Sequence, residues 1–201
     1  MKFPHSALDL TDVVFKTQTE DHVKMAGKLI LQSVGEDLGR EGLLKTPERF
    51  SKAIKEVCSG YLMTAEDAVG EGIFPGEGQG LVSVRDIEFF SLCEHHMLPF
   101  WGQVSVAYYP DGKIIGLSKI PRLVDVFARR LQVQERLTKE VATSLHRLID
   151  ARAVSVKVSG CHMCMMMRGV KKTGSDTVTE YSIGLEKLSE DEKSRLWKSI
   201  D

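Results

Sequence analysis

The hydrophobic period of the chain changes from helical to two across the stretch 68–80, "AVGEGIFPGEGQG", and that switch restricts the fold more than any other feature. Upstream, residues 1 to about 18 show no strong periodicity. Val23, Ala26, Ile30 and Val34 then share one side of a helix predicted over roughly 20–35. In "KTPERFSKAIKEVCSGY", Thr46 is placed as an N-cap and Pro47 suits the first helical position. Phe50, Ala53, Ile54, Val57 and Cys58 recur at helical spacing until Gly60, which makes Cys58 a core residue rather than a ligand. The switch region itself, with five glycines and a proline, reads as a long loop.

Downstream, residues 81–92 are strand-like, with a slip in apolar parity between Val84 and Ile87 that marks a bulge. Val104, Val106 and Tyr108 alternate in a second strand, and "YPDG" (109–112) is a turn. Two helices follow, one carrying Ile120, Leu123, Val124 and Phe127, the other Leu137, Val141, Leu145 and Leu148. A third strand is predicted over about 153–167. A fourth covers about 176–185, with Tyr181, Ile183 and Leu185 on one face and "GVKKTGSD" as the hairpin loop before it. Two helices followed by β-β-α-α-β-β is an α+β order: a mostly antiparallel sheet with its helices on one face. Residues 1–70 form an N-terminal helical arm and 71–201 a second unit.

The chain of 201 residues carries 27 basic and 28 acidic side chains, a balance that gives no support for a nucleic-acid surface. No apolar run is long enough to cross a membrane and there is no signal-peptide core, so the expected compartment is the cytoplasm. In that compartment Cys58, Cys93, Cys161 and Cys164 read as thiols or ligands rather than a disulfide framework.

"SLCEHHMLPF" (91–100) places Cys93 and His96 at C-x-x-H spacing, which lets one tight turn present both to an ion. In "CHMCMMMR" (161–168), His162, Cys164 and Arg168 share strand parity while Cys161 and Met163 face the other way. Cys164 can therefore join Cys93 and His96. Three sulfur and nitrogen ligands without an obvious fourth is the pattern of a catalytic zinc (Zn²⁺) that keeps a position for water. Spacing alone leaves open a closed structural site that recruits His95 or His162, or unrelated buried thiols. In "GLSKIPRLVDVFARRL", Ser118 is positioned as an N-cap with Lys119 and Arg122 in the first turn. That is a place suited to phosphate, although on sequence alone a plain solvated basic face is the better reading. Arg129 and Arg130 read as such a face. In "QVQERLT", Gln134 and Glu135 begin the next helix, where a carboxylate is stabilised in any case.

Together "SLCEHHMLPFWGQV", "GLSKIPRLVDVFARRLQVQERLT" and "CHMCMMMRGV" resemble the GTP cyclohydrolase I family over about residues 40–185, and "KTPERF" also fits. The resemblance implies the tunnelling fold (T-fold). It also implies a homodecamer of two stacked pentameric rings with sites at subunit interfaces, and conversion of GTP and water to 7,8-dihydroneopterin triphosphate and formate. Cys93, His96 and Cys164 match the zinc ligands, and His95 and His162 the catalytic histidines. Ser118, Lys119, Arg122 and Arg168 match positions around the triphosphate, joined by Arg49; Gln134 and Glu135 match the guanine pocket. Two rivals share the fold. A pterin synthase would be expected to use three histidines for zinc. A non-enzymatic, zinc-stabilised nucleotide-binding ring would have no use for both His95 and His162 beside the metal.

Overall fold

The computed structural model describes residues 21–76 and 80–201; the aperiodic stretch before about residue 18 lies outside them. Helix α1 (His22–Ser33) starts at Asp21, whose carboxylate accepts from Lys24 N–H at 3.1 Å. It docks on α2 (Thr46–Val57) through Gly27, where an added Cβ would stand 3.0 Å from the Phe50 ring. The expected stripe is not what packs: Ile30 and Val34 stay 52% and 70% exposed, because the contact runs through the glycine side of the helix. The start of α2 also differs from expectation. Lys45 holds the N-cap position, and Thr46 lies inside the helix with its hydroxyl donating to Gly42 O at 3.3 Å.

The glycine-rich stretch is not simply a loop. A short helix α3 (Ala65–Val69), closed by a capping box between Thr64 and Asp67, leads into β1 (Ile73–Pro75). Strand β1 pairs antiparallel with β4 (Lys113–Ile115). A local count of glycines hides this pairing because the partner lies some forty residues downstream.

The main sheet runs in the order β5-β2-β3-β6-β7. Strands β2 (Val82–Cys93), β3 (Pro99–Tyr109), β6 (Ala153–His162) and β7 (Thr177–Ile183) are antiparallel neighbours, and two-residue β5 (Leu131–Gln132) joins β2 in parallel. The expected bulge is present: the register shifts between Val84 and Ile87, and Asp86 takes a φ of 57°. Helices α4 (Lys119–Ala128) and α5 (Gln134–Ile149) cover one face. Val104, Val106, Val156 and Val158 of the sheet meet Leu123, Phe127, Leu137, Val141 and Leu145 of the helices. Burying each such side chain stabilises the fold by about 1.5–3 kcal/mol.

Two strand ends differ from the pattern in the sequence. Strand β6 stops at His162, opposite Phe100, because β3 begins at Pro99 and offers no further partner. The backbone then satisfies itself locally in α6 (Met163–Met166), with Met167 N–H donating to Met163 O at 3.0 Å. Strand β7 ends at Ile183 because Gly184, at φ 83°, turns the chain. Leu185 therefore leaves the face of Tyr181 and Ile183 and packs against a second cluster. That cluster belongs to α7 (Glu190–Lys198), an element the sequence pattern left unassigned. Leu196 and Ile200 pack there on Ala107, Tyr109 and Ala153, whose parity puts them on the face away from α4 and α5.

Candidate active site

Cys93 ends β2 and is buried. The turn after it closes on itself: Cys93 N–H donates to Leu98 O at 2.8 Å and Met97 N–H to Cys93 O at 2.7 Å, with Met97 at a φ of 54°. This tight turn brings His96 back over Cys93. Cys164, carried by α6 rather than by a strand, arrives from the other side. One helical turn, not parity along an extended strand, aims Cys164 at the turn and brings the three residues together. The ligand atoms of Cys93, His96 and Cys164 all lie within 4.8 Å of one another.

Both histidines of the turn approach Cys93 Sγ through Nδ1, His95 at 3.8 Å and His96 at 3.9 Å. Cys164 separates them, since only His96 is in range of both sulfurs. Burial, then the neighbouring Cys93 sulfur, push the Cys164 thiol up. Two thiols and an imidazole so close suit a borderline-soft cation, and binding one must displace thiol protons.

Beside the cluster opens a cleft of about 210 Å³, with Cys93, His95, Gln134, Glu135, His162 and Cys164 in its wall. His162 is fixed twice. Its ring stacks on Phe100 at 4.7 Å with 4° between planes, and its Nε2 lies 2.8 Å from Gln134 Oε1. Gln134 reaches there because Gly160 has no side chain; a Cβ would stand 2.6 Å from that oxygen. The Gln134 amide nitrogen shares its hydrogens among Val158 O, Thr177 O and Thr179 Oγ1. Its oxygen must therefore face His162, so Nε2 carries the ring hydrogen and Nδ1 of the neutral ring is the acceptor. Burial lowers the His162 pKa, against a smaller opposing pull from Glu135. Glu135 itself is exposed on the cleft wall at the first turn of α5. His95 is more open than His162, with its side chain 65% exposed.

The other predicted residues are not brought to this cleft by one chain. Arg168 lies next to the cluster and donates through Nη1 to His96 Nε2 at 2.8 Å. Ser118, Lys119 and Arg122 sit at the start of α4, where Ser118 occupies the cap position but makes no capping bond. The Lys119 stem lies over Gly72, where a Cβ would come within 2.6 Å of it. Arg49 is on α2, in a surface depression with Glu41, Leu44 and Lys45. Sequence reasoning missed Gln132, Met165 and Thr177 in the cleft wall, and Glu94 and Arg136 beside it. Glu94 stands between Cys93 and His96, and Arg136 is a cation in a helix's first turn. Both are local signals, but they acquire meaning only when β2 and α5 are side by side.

A mostly antiparallel sheet with two long helices on one face, and a cysteine-histidine-cysteine cluster beside a cleft, defines an α+β protein with a candidate metal centre. Its cleft could hold a metal ion. Comparison with known proteins narrows the class. The chain matches the family of GTP cyclohydrolase I over residues 23–201. It is 49% identical over 168 residues to GTP cyclohydrolase 1 of Campylobacter jejuni (strain RM1221), covering 84% of this chain and 87% of that one. It is 53% identical over 156 residues to GTP cyclohydrolase 1 of Leptospira biflexa, covering 78% and 85%. Among solved structures, an archaeosine synthase QueF-Like in the apo form aligns at 19% identity with a TM-score of 0.44, covering 54% of this chain and 97% of its own. The chain belongs to the GTP cyclohydrolase I family.

Proposed function

We propose that the protein is a zinc-dependent GTP cyclohydrolase I, converting GTP and water to 7,8-dihydroneopterin triphosphate and formate at the entry to folate and pterin biosynthesis. The observation that supports this reading best is the cluster of Cys93, His96 and Cys164 at a cleft also walled by His95, His162 and Glu135. When bound, zinc supplies a water acidic enough to act as hydroxide near neutral pH. The remaining roles belong to the chain. His162, held neutral by burial and fixed by Gln134, takes or returns a proton at Nδ1. His95, facing the cleft without binding the metal, serves a second proton transfer. The Glu135 carboxylate accepts the two adjacent N–H groups on the pairing edge of guanine, a pair adenine lacks.

A triphosphate needs several cations, and Arg168 is the nearest one assigned to it. Ser118, Lys119, Arg122 and Arg49 lie elsewhere on the same chain, which is the arrangement expected if a neighbouring copy supplies them. We therefore read residues 71–201 as a catalytic unit with 1–70 as a helical arm, assembled as a homodecamer of two stacked pentamers. Its soluble substrate calls for neither nucleic acid nor membrane, and the reading places it in the cytoplasm. Among the described residues no helix is long and apolar enough to cross a membrane. Incubating the purified, zinc-loaded protein with GTP should release formate; GTP recovered intact would overturn the reading.

A further inference from the structure

We propose that Arg136 is a positioning residue, holding the metal-binding turn in register with the first turn of α5 through an ion pair to Glu94. The inference rests on the proposed reaction, since it concerns how two halves of that site are aligned.

Residues 132–135 line one wall of the cleft, and Arg136 follows them beside it. Gln134 holds His162 and Glu135 lines the wall, so this segment carries the proton-transfer and base-reading side of the site. The metal side is the turn after Cys93. Two links join them. Glu94 N–H donates to Gln132 O at 3.0 Å. The Glu94 carboxylate accepts from Arg136 Nη2. Arg136 is fixed at its other end, where Nε donates to Gln132 Oε1 at 2.6 Å. Gln132, only 1% exposed, is fixed in turn: its amide nitrogen donates to Glu140 Oε2 at 2.9 Å and Phe127 O at 3.1 Å. One fork of the guanidinium thus bridges an immobile buried amide and a carboxylate on the metal-binding turn.

The helix does not explain the position of Arg136. A cation in a helix's first turn opposes the helix dipole, so it does not serve the helix. With side chains 42% and 35% exposed, the Arg136–Glu94 pair contributes little to overall stability. Alignment is different. Attack on the base requires metal, histidine and base-reading carboxylate at fixed separations, and a misplacement of about 1 Å can cost on the order of 100-fold in rate.

The test compares wild type, Arg136→Met, Glu94→Gln and the double variant. Four quantities are measured on the zinc-loaded protein: metal content, melting temperature, KM and kcat for GTP, and hydrogen exchange across residues 93–97. For Arg136→Met we expect wild-type metal content, a melting temperature lowered by a few degrees at most, a KM within about threefold and a kcat down about 10–100-fold. Exchange at the turn should be faster. Glu94→Gln keeps an oxygen that accepts from Arg136 and should retain most of kcat. The double variant should be no slower than Arg136→Met alone, because both act through one link. Unchanged kcat and unchanged exchange in Arg136→Met would overturn the proposal, as would a kcat loss that merely follows lost metal or a collapsed melting temperature. A wild type that releases no formate, with exchange still faster in Arg136→Met, would leave the clamp standing and remove the cyclohydrolase reading instead.

Discussion

Two adjacent histidines stand at nearly the same distance from one sulfur, yet only one of them belongs to the three-residue cluster. His95 and His96 are 3.8 and 3.9 Å from Cys93 Sγ, and it is Cys164 that includes the second and not the first. Substituting them one at a time should therefore separate metal retention from turnover. His96→Ala is expected to lose its zinc and all activity with it. His95→Ala should keep its zinc and its affinity for GTP while turning over about 10²–10⁴-fold more slowly, the range for a lost acid or base. Metal analysis of the two purified variants checks the assignment, and a zinc-free His95→Ala beside a loaded His96→Ala reverses it. His162 differs from both. It sits in the layer between sheet and helix, stacked on Phe100 and tied to Gln134, so its orientation is inherited from the core.

Asp21 shows how an element can be held by one side chain. Its carboxylate caps α1 through Lys24 N–H and also accepts from Ser51 Oγ at 2.6 Å and Lys55 Nζ at 2.8 Å on α2. The Lys55 bond, then the Ser51 bond, hold its carboxyl well below the usual carboxylate range. A pKa lowered in the folded state contributes stability that is present above the unfolded value and lost as pH falls through the folded one. Docking of α1 should accordingly loosen in acid. Asp21→Asn should reproduce that loosening at neutral pH, visible as faster hydrogen exchange across 22–33 with no change in 119–149. Exchange unaltered by the substitution would remove Asp21 as the fastener. The elements also show what one sequence can disclose. Helices α4 and α5 were legible because their apolar residues repeat over several turns against a fixed wall of valines. Strand β1 was hidden because its partner is β4, and the limit of β6 was hidden because Pro99 sets it from the neighbouring strand. Helix α7 carries its start signal in the capping box of Ser189 and Glu192, but it is too short to show a strong apolar period. In the site, C-x-x-H was legible from spacing, whereas the Gln134 contact to His162 depends on the absence of a side chain at Gly160, which only the assembled sheet reveals.

At the scale of the whole molecule, the sheet ends without being finished. Strand β7 has β6 on one side only, and β2 beyond the two residues of β5 is bordered by β3 alone among the described residues. Open edges invite pairing with another chain. Leu29, Ile30, Phe90 and Val178 are 49% to 66% exposed, apolar surface that neighbouring copies would cover in such an assembly. Light scattering should therefore find a large closed assembly, and a fully active monomer would contradict it. The separation of Lys119 from the cleft that holds His162 then carries a consequence for mixtures. If each working site draws the histidine from one copy and the lysine from its neighbour, chains damaged at His162 and chains damaged at Lys119 are both inert alone but complementary together. Mixed in equal amounts during assembly, they would restore about one site in four, so two dead proteins would add up to a living one.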